Sequence, residues 1–318
     1  MSKQWKESAP SNIALIKYMG KGEGGGNVAT NPSLSMTLAN FRTTVELSLL
    51  PEGSDDAWDP LPGSAPLRRE STQRFLDFFQ RLKKQESIHQ AFLLRSGNNF
   101  PSDAGLASSA SSFAALTKTA YTAFSELQSK PLASAEKLAM ISRTGSGSSC
   151  RSFFSPWCVW EGEKIFVPPS KLPELEDVVV VLDAGFKKVS SSQAHTRVKS
   201  SPLFAGRTDR SVQRMQESLS ALASGDFKRL AEISYAELWD MHSLFHTSTP
   251  PFFYFAPETL SVLRFVEDLW EKENWGPIST IDAGPNVHLL IPAGDKEKLL
   301  AKLQENLKFT PKYFTSRA

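Results

Sequence analysis

The sequence predicts a mixed α and β protein that is divided into two domains. Strand-like and helix-like patterns interleave along both halves of the chain, and 318 residues is about twice the usual length of one domain. Three prolines, Pro168, Pro169 and Pro173, cluster between the halves. We therefore expect an N-terminal domain over residues 1–175 and a C-terminal domain over residues 176–318.

The first half contains alternating and helical patterns in succession. Residues 43–49 alternate apolar and polar side chains, as a half-buried strand does, and residues 51–66 have the Pro, Gly, Asp and Ser content of an exposed loop. From Ser71 the apolar residues recur at helical spacing. A strand is expected over 91–94, then a Gly/Ser-rich stretch over 96–112 that passes into a helix reaching about Leu127.

The pattern continues into the second half. Residues 138–141 predict a short helix, and residues 157–167 predict a hairpin. The run VVVVL at 178–182 predicts a buried strand. Helices are expected near 209–223, 227–245 and 257–273. Two strands around the sequence DAGPN and a terminal helix from about Asp295 then close the chain.

Composition excludes several classes of protein. The chain is 40% apolar and 22% charged, which is typical of a globular protein, and its net charge of +2 argues against nucleic-acid binding. It lacks the roughly 18 consecutive apolar residues of a membrane helix and the apolar run of a secretory signal. Two cysteines provide neither a disulfide framework nor a four-cysteine metal site. We expect a soluble cytoplasmic protein that does not bind a membrane.

The segment NNFPSDAGLASSASSFAAL, residues 98–116, combines a glycine and several small residues with the start of an apolar helix. Backbone N–H groups and the helix dipole at such a start favour a bound phosphate. Serine hydroxyls there can add hydrogen bonds or hold magnesium. The alternative is a serine-rich helix cap with no ligand, since neither a Walker A nor a dinucleotide-binding pattern is present.

Three further segments carry candidate functional side chains. The segment GSGSSCRSFF from Gly145 includes Arg151, whose guanidinium suits a carboxylate or phosphate, although a flexible linker with a surface arginine is an alternative. The segment KYMGKGEG from Lys17 brings two lysines and a tyrosine together, or else forms a solvated charge pair. Asp282, in IDAGPN, is a candidate general base or a turn-forming aspartate.

The histidines do not predict a metal site. His242 and His246 are four residues apart on a predicted helix and could share one face. The glutamate of an HExxH zinc motif is absent between them, so we expect no zinc.

Taken together, these segments resemble the GHMP superfamily of small-molecule kinases, and within it the ATP-dependent mevalonate diphosphate decarboxylases. SAPSNIALIKYMGK, NPSLSMTL, PSDAGLASSAS, GSGSSCRS, KKVSSSQAH, SPLF and IDAGPN follow the family's order along nearly the whole chain. The resemblance implies an α+β fold with a ribosomal-protein-S5-like N-terminal domain and a ferredoxin-like C-terminal domain. It also implies a homodimer, with ATP, magnesium and a phosphorylated mevalonate bound in the cleft between the domains.

The implied reaction phosphorylates the tertiary 3-hydroxyl of mevalonate 5-diphosphate and then releases phosphate and carbon dioxide, giving isopentenyl diphosphate. By this resemblance Asp282 is the base, Lys17 keeps Asp282 ionised, and Arg151 grips the substrate carboxylate. The other substrate-binding residues would be Tyr18, Lys21, Ser146, Ser148, Ser191 and Ser192. The ATP phosphates would lie against Gly105, Ala107, Ser108, Ser109 and Ser111, with Ser108 and Asp103 as candidate magnesium ligands.

The chain departs from the family pattern at Met19, Pro32, Ser71, Ser155-Pro156 and Ala194-His195. These positions leave open whether the substrate is the 5-diphosphate or the 5-monophosphate. Two further alternatives do not depend on these positions: a kinase that phosphorylates without decarboxylating, against which the retained Asp282 and DAGPN turn argue, and a protein that binds nucleotide without turnover, against which the intact charged residues argue. Near Ser71, an arginine at position 68, 69 or 74 is a candidate replacement for a phosphate-binding arginine.

Overall fold

The computed structural model describes residues 3–22, 27–101, 108–182 and 189–318. In these ranges the chain forms two β-sheets with helices packed against them, which confirms the predicted mixed class. The strands are β1 (Gln4–Ile16), β2 (Ser33–Leu49), β3 (Ala57–Pro60), β4 (Phe92–Asn98), β5 (Trp157–Glu161), β6 (Lys164–Phe166), β7 (Leu175–Val181), β8 (Ile278–Thr280), β9 (Val287–Pro292) and β10 (Lys312–Arg317). The α-helices are α1 (Arg69–Gln85), α2 (Ser108–Gln128), α3 (Ala135–Arg143), α4 (Ser191–Arg197), α5 (Arg207–Ser224), α6 (Phe227–Thr247), α7 (Pro257–Glu273) and α8 (Lys296–Asn306).

The long strand β2 organises the N-terminal sheet. One edge of β2 pairs with β1 from Gln4–Ser48 to Ile16–Leu34, and its other edge pairs with β4 at one end and β5 at the other. The order β3-β4-β2-β5-β6 completes this sheet. Because Ile16 is held opposite Leu34, the residue that follows β1 leaves the sheet at a fixed point.

The C-terminal sheet has the order β10-β7-β9-β8 with antiparallel neighbours. Val178, Val179 and Val180 of β7 are fully buried, as their β-branched run predicts. Strand β8 ends at Thr280 and β9 begins at Val287, so the DAGPN segment connects two strands of this sheet.

One of the buried apolar clusters in the described ranges spans the two sheets. Ile13 and Leu34 of the N-terminal sheet belong to the same buried cluster as Val179 and Ile278 of the C-terminal sheet. In addition, the Thr280 hydroxyl donates a hydrogen bond to the Ala14 carbonyl, at 2.8 Å. The ends of β1 and β8 are therefore fixed relative to each other. The division at residue 175 stays a prediction, because this cluster spans it.

The helices follow their sequence patterns closely. Phe75, Phe78, Phe79 and Leu82 form the buried face of α1, as predicted. Helix α2 packs its alanine-rich face on the N-terminal sheet, and α5, α6 and α7 agree with the three helices expected in the second half to within about two residues. None of the helices in the described ranges combines the length and apolar character that crossing a membrane requires.

Among the strands and α-helices of the described ranges, three short elements were not predicted. Strand β3 lies within the expected loop over 51–66 and pairs with β4, and β10 follows the helix expected to end the chain and pairs with β7. Helix α4 begins with a capping box in which the Ser190 and Gln193 side chains bond to each other's backbone N–H. The two strands depend on distant partners, whereas the S-x-x-Q pattern of α4 was a local signal that was overlooked.

Candidate active site

Lys17 and Asp282 form an ion pair where the two sheets meet. Lys17 follows β1 and Asp282 follows β8, and the Lys17 Nζ lies 2.7 Å from the Asp282 Oδ1. The Lys17 side chain is only 2% exposed, whereas the Asp282 side chain is 33% exposed. The carboxylate is therefore accessible from outside while its partner cation is buried behind it.

The neighbouring Lys17 keeps the Asp282 carboxyl ionised. Burial by itself would raise the pKa of the Asp282 carboxyl, but the charge and hydrogen bond of Lys17 outweigh burial and hold that pKa below its ordinary value. Burial lowers the pKa of Lys17, and the attraction of Asp282 and Glu237 opposes this only in part. At neutral pH Asp282 is a carboxylate that can accept a proton.

Arg151 is a buried cation with unused hydrogen-bond donors. It lies in a 3-10 helix, Gly147–Phe153, and is 3% exposed. Its Nη1 donates to the Ser33 hydroxyl at 2.8 Å, while its Nε is buried and has no hydrogen-bond partner among the described residues. Within the described ranges no carboxylate forms an ion pair with it. Because a buried charge without a counterion is costly, this position suits an anionic ligand.

The segment that contains Arg151 is ordered by close packing. A Cβ atom on Gly145 would collide with Phe113, and one on Gly147 would collide with Tyr18, so both positions require glycine. Asn12 of β1 donates to the Ser152 hydroxyl at 2.8 Å and to the Ser148 carbonyl at 3.2 Å. The flexible linker with a surface arginine, which the sequence left open, is therefore excluded.

The phosphate-loop segment and the Arg151 segment come together through two serines. Ser109, in the first turn of α2, lies with its hydroxyl oxygen 3.3 Å from that of Ser146. Ser146 is buried and Ser109 is exposed. The predicted ATP-phosphate and substrate segments thus adjoin at this point.

Two further cations lie near Ser146. Arg74 of α1 donates to the Gly145 carbonyl at 2.6 Å. Burial lowers the pKa of Lys21, and the nearby Arg74 guanidinium lowers it further. The contacts of Arg74 place it beside Lys21 and the 145–148 segment, which supports it as the phosphate-binding arginine considered near Ser71.

Tyr18 stands between two aromatic rings at the same site. Its ring centroid is 4.4 Å from that of His195 and 5.0 Å from that of Trp160. His195 Nδ1 accepts a hydrogen bond from the Gly20 N–H at 3.1 Å, so its ring proton is on Nε2. Burial, assisted by the charge of Lys21, lowers the pKa of His195 to about 3 and keeps the imidazole neutral. Sequence reasoning left the role of this histidine open, and the structure makes it a packing partner of Tyr18.

Several other predicted site residues have no described contact with the Lys17–Asp282 pair. Ser191 and Ser192 are exposed in the first turn of α4, and no described contact joins their side chains to Asp282. Ser108 begins α2 in the described ranges, and Gly105, Ala107 and Asp103 lie outside them.

Ser111 does not fit the predicted phosphate-binding role. It is fully buried, and its hydroxyl is hydrogen-bonded to the Thr43 hydroxyl at 2.7 Å and to the Ser108 carbonyl at 3.1 Å. It lies on the face of α2 that packs on the sheet, so we remove it from the phosphate-binding set.

His242 is completely buried and has no zinc-like surroundings. Its ring stacks on Phe255 at 4.1 Å, and burial lowers its pKa to about 3. Across the described residues there is no group of three or more His, Cys, Asp or Glu side chains that could hold a metal ion. The ring is an aromatic packing element behind Lys17.

Sequence reasoning missed the side chains that hold the Lys17 backbone. The Lys17 N–H donates to Glu237 at 2.9 Å, and the Lys17 carbonyl accepts hydrogen bonds from Asn31 at 2.8 Å and from Arg207 at 3.2 Å. Glu237 is 220 residues from Lys17 in the chain, and no local spacing signals such a contact.

Comparison with known protein families gives a match for the N-terminal half of the chain and another for the C-terminal half. Residues 9–165 match the family described as the diphosphomevalonate decarboxylase-like N-terminal domain, and residues 177–316 match the mevalonate 5-diphosphate decarboxylase C-terminal domain. The chain belongs to the diphosphomevalonate decarboxylase family. The resemblance inferred from the sequence motifs is thereby confirmed.

Individual members of the diphosphomevalonate decarboxylase family match the chain over most of its length. The enzyme of Saccharomyces cerevisiae is 32% identical over 320 residues, which cover 92% of this chain and 79% of that protein. The crystal structure of a mevalonate diphosphate decarboxylase from Legionella pneumophila is 41% identical, with a TM-score of 0.92 over 98% of this chain and all of that one. A structure described as MDDEF in complex with MVAPP, AMPPCP and magnesium is 30% identical, with a TM-score of 0.86 over 99% of this chain and 98% of that one. These likenesses confirm the predicted α+β, GHMP-kinase-like fold.

Proposed function

We propose that the chain catalyses the ATP-dependent decarboxylation of mevalonate 5-diphosphate to isopentenyl diphosphate. Family membership supports the reaction, and one observation supports the site: an ionised, accessible Asp282 is paired with buried Lys17 and lies near Arg151, which has no described counterion. A base, a cation and an anion-binding arginine are the groups that this reaction needs.

The first step transfers a phosphoryl group. The 3-hydroxyl oxygen of the substrate attacks the γ-phosphorus of ATP, the bond from that phosphorus to ADP breaks, and Asp282 takes the hydroxyl proton. The Lys17 ammonium keeps Asp282 ionised and offsets negative charge on the transferring group. A tertiary hydroxyl is thereby converted into a phosphate ester, which is a better leaving group.

The second step breaks two bonds. The C3–O bond breaks, and the new phosphate leaves with its electron pair. The bond from the carboxylate to C2 also breaks, and its electrons form the new double bond as carbon dioxide departs. Arg151 has a buried Nε without a described partner, so it can hold the carboxylate through two parallel hydrogen bonds and align it for this cleavage.

The diphosphate end of the substrate would lie against the cationic part of the site. Lys21 and Arg74 supply charge, Tyr18 and Ser146 supply hydroxyl groups, and Ser148 lies on the same segment. Burial raises the pKa of Tyr18, so its hydroxyl stays protonated and can donate. Substrate positioning by Ser191 and Ser192 stays a prediction.

ATP would bind with its phosphates at the start of α2. Ser109 is exposed there and adjoins Ser146, so the nucleotide and the substrate would meet at this point. Magnesium usually takes only one or two protein ligands beside phosphate oxygens and water, so the residues present fit an ion held mainly by ATP, with Ser108 as a ligand. The ion would neutralise phosphate charge. Roles for Gly105, Ala107 and Asp103 stay predictions, as do homodimer formation and a cytoplasmic location.

Product stoichiometry tests this function against the alternatives. With ATP, magnesium and mevalonate 5-diphosphate, we expect ADP and carbon dioxide in a ratio of about one to one, since each turnover of the proposed mechanism uses one ATP. ADP without carbon dioxide would show a kinase. Thermal stabilisation by both ligands without ADP would show a protein that only binds them.

A further inference from the structure

The backbone N–H and the backbone carbonyl of Lys17 are each hydrogen-bonded to a buried charged side chain from the C-terminal half. Glu237, on α6, accepts the Lys17 N–H, and Arg207, at the start of α5, donates to the Lys17 carbonyl. Glu237 is 0% exposed and Arg207 is 1% exposed. The backbone of Lys17 is therefore fixed by two helices that lie outside the N-terminal sheet.

Glu237 and Arg207 are themselves locked in place. The two terminal nitrogens of the Arg207 guanidinium, Nη1 and Nη2, both donate to the Glu237 carboxylate, and Arg214 donates to the same carboxylate at 3.0 Å. Asp240 accepts from Arg207 at 3.0 Å but makes no described contact with Lys17. Buried ion pairs contribute little more stability than apolar side chains of similar size, so stability alone does not account for this arrangement.

We propose that Glu237 and Arg207 are positioning residues that clamp the Lys17 peptide so that the Lys17 ammonium meets Asp282. The Arg207–Glu237 clamp acts through Lys17 and touches no substrate atom. Its catalytic consequence rests on the proposed function, because it assumes that the Lys17–Asp282 pair carries the reaction. Displacement of a catalytic group by about 1 Å can cost on the order of a hundredfold in rate, so such a clamp affects turnover.

The clamp also has an electrostatic consequence for Lys17. Among the residues that the structure describes, the charged or titratable groups that face Lys17 are Asp282, Glu237, Arg207, Arg151 and His242. His242 is neutral, since burial lowers its pKa to about 3. Burial lowers the pKa of Lys17, and the negative charge of Glu237 opposes that fall. Loss of this charge therefore lowers the pKa of Lys17 further.

The direction of the pH effect follows from the role of Lys17. The ammonium form is the one that pairs with Asp282, so activity is present below the pKa of Lys17 and is lost as pH rises through it. Glu237→Gln retains an oxygen for the Lys17 N–H but removes the charge. We expect it to lower kcat about tenfold or more and to move the alkaline fall in kcat to lower pH by about one unit.

Two companion variants separate positioning from general stability. Arg207→Lys retains the positive charge but lacks the planar guanidinium that spans Glu237 and the Lys17 carbonyl. We therefore expect kcat to fall about tenfold, with little change in the pH at which the alkaline fall in kcat occurs. Asp240→Asn removes a neighbouring ion-pair partner without touching Lys17. It should lower the melting temperature, leave kcat within about threefold of wild type and leave the pH of the alkaline fall in kcat unchanged.

The pKa of Lys17 can also be measured without turnover. In protein labelled with ¹³C-lysine, a Lys17→Arg variant assigns the Lys17 Cε signal, and its titration should shift to lower pH in Glu237→Gln. An unmoved titration in Glu237→Gln, or Arg207→Lys with wild-type kcat, would overturn the clamp. If Glu237→Gln does not fold, Arg207→Lys decides. Failure of the wild type to release carbon dioxide would instead contradict the proposed function, and the titration would still test the clamp.

Discussion

Asp282→Asn is expected to lower kcat for carbon dioxide release by about 10²–10⁴-fold, the usual contribution of a general base. Asparagine matches the size of aspartate but cannot accept the proton of the 3-hydroxyl. The substitution also leaves the buried Lys17 ammonium without the carboxylate that lies 2.7 Å from it. Because Ser109 and the start of α2 make no described contact with this pair, the Kd for ATP should change by less than about threefold. Release of ADP and carbon dioxide, with equilibrium nucleotide binding, measures both quantities.

The control for this substitution is Asp268→Asn. Asp268 lies on the surface of α7, is 49% exposed and pairs only with Lys272 among the described cations, so its replacement should leave kcat unchanged. A melting curve for each variant separates loss of chemistry from loss of fold. If folded Asp282→Asn retained more than about a tenth of wild-type kcat, Asp282 could not be the base.

Arg151→Gln is expected to raise KM for mevalonate 5-diphosphate and to lower kcat, each by about tenfold or more. Hydrogen bonds to a charged group contribute about 1.5–3 kcal/mol, which corresponds to roughly 10- to 150-fold in affinity or rate. Both constants should change because the arginine binds the carboxylate and also aligns it for departure. Arg151→Lys should lie between glutamine and the wild type, since it retains the charge but not the planar fork. Steady-state kinetics with varied substrate and saturating ATP separates the two constants.

Two controls accompany Arg151→Gln. Arg264→Gln removes an arginine whose side chain is 81% exposed and should have no kinetic effect. Ser33→Ala removes the hydroxyl that accepts from Arg151 and should cost only about threefold, because the guanidinium remains. An Arg151→Gln variant that is folded and has wild-type KM and kcat would refute the carboxylate-binding role.

Sequence patterns predicted the elements whose signal is local. The aromatic stripe of α1 and the valine run of β7 each encode their own period and burial, and the structure has both where they were expected. Strands β3 and β10 were missed because each is short and pairs with a strand from which at least one helix separates it in the chain. Such pairing cannot be derived from the period of a four- or six-residue segment.

In the candidate site, too, residues within local motifs could be predicted and contacts between distant residues could not. Lys17, Arg151 and Asp282 were singled out by their motifs, and the structure pairs Lys17 with Asp282 and buries Arg151. Ser111 was misplaced because a serine-rich helix start does not reveal which hydroxyl faces the sheet. The Arg207–Glu237 clamp could not be predicted, since it joins the start of α5 and the middle of α6 to a residue near the other end of the chain.

The most direct test of the account is carbon dioxide release from mevalonate 5-diphosphate and mevalonate 5-phosphate in parallel, with saturating ATP and magnesium. The cationic pair of Lys21 and Arg74 predicts a kcat/KM at least about tenfold higher for the diphosphate, because one additional charge-assisted contact contributes about 1.4 kcal/mol or more. Equal or higher kcat/KM with the monophosphate, or no carbon dioxide from either substrate, would contradict it.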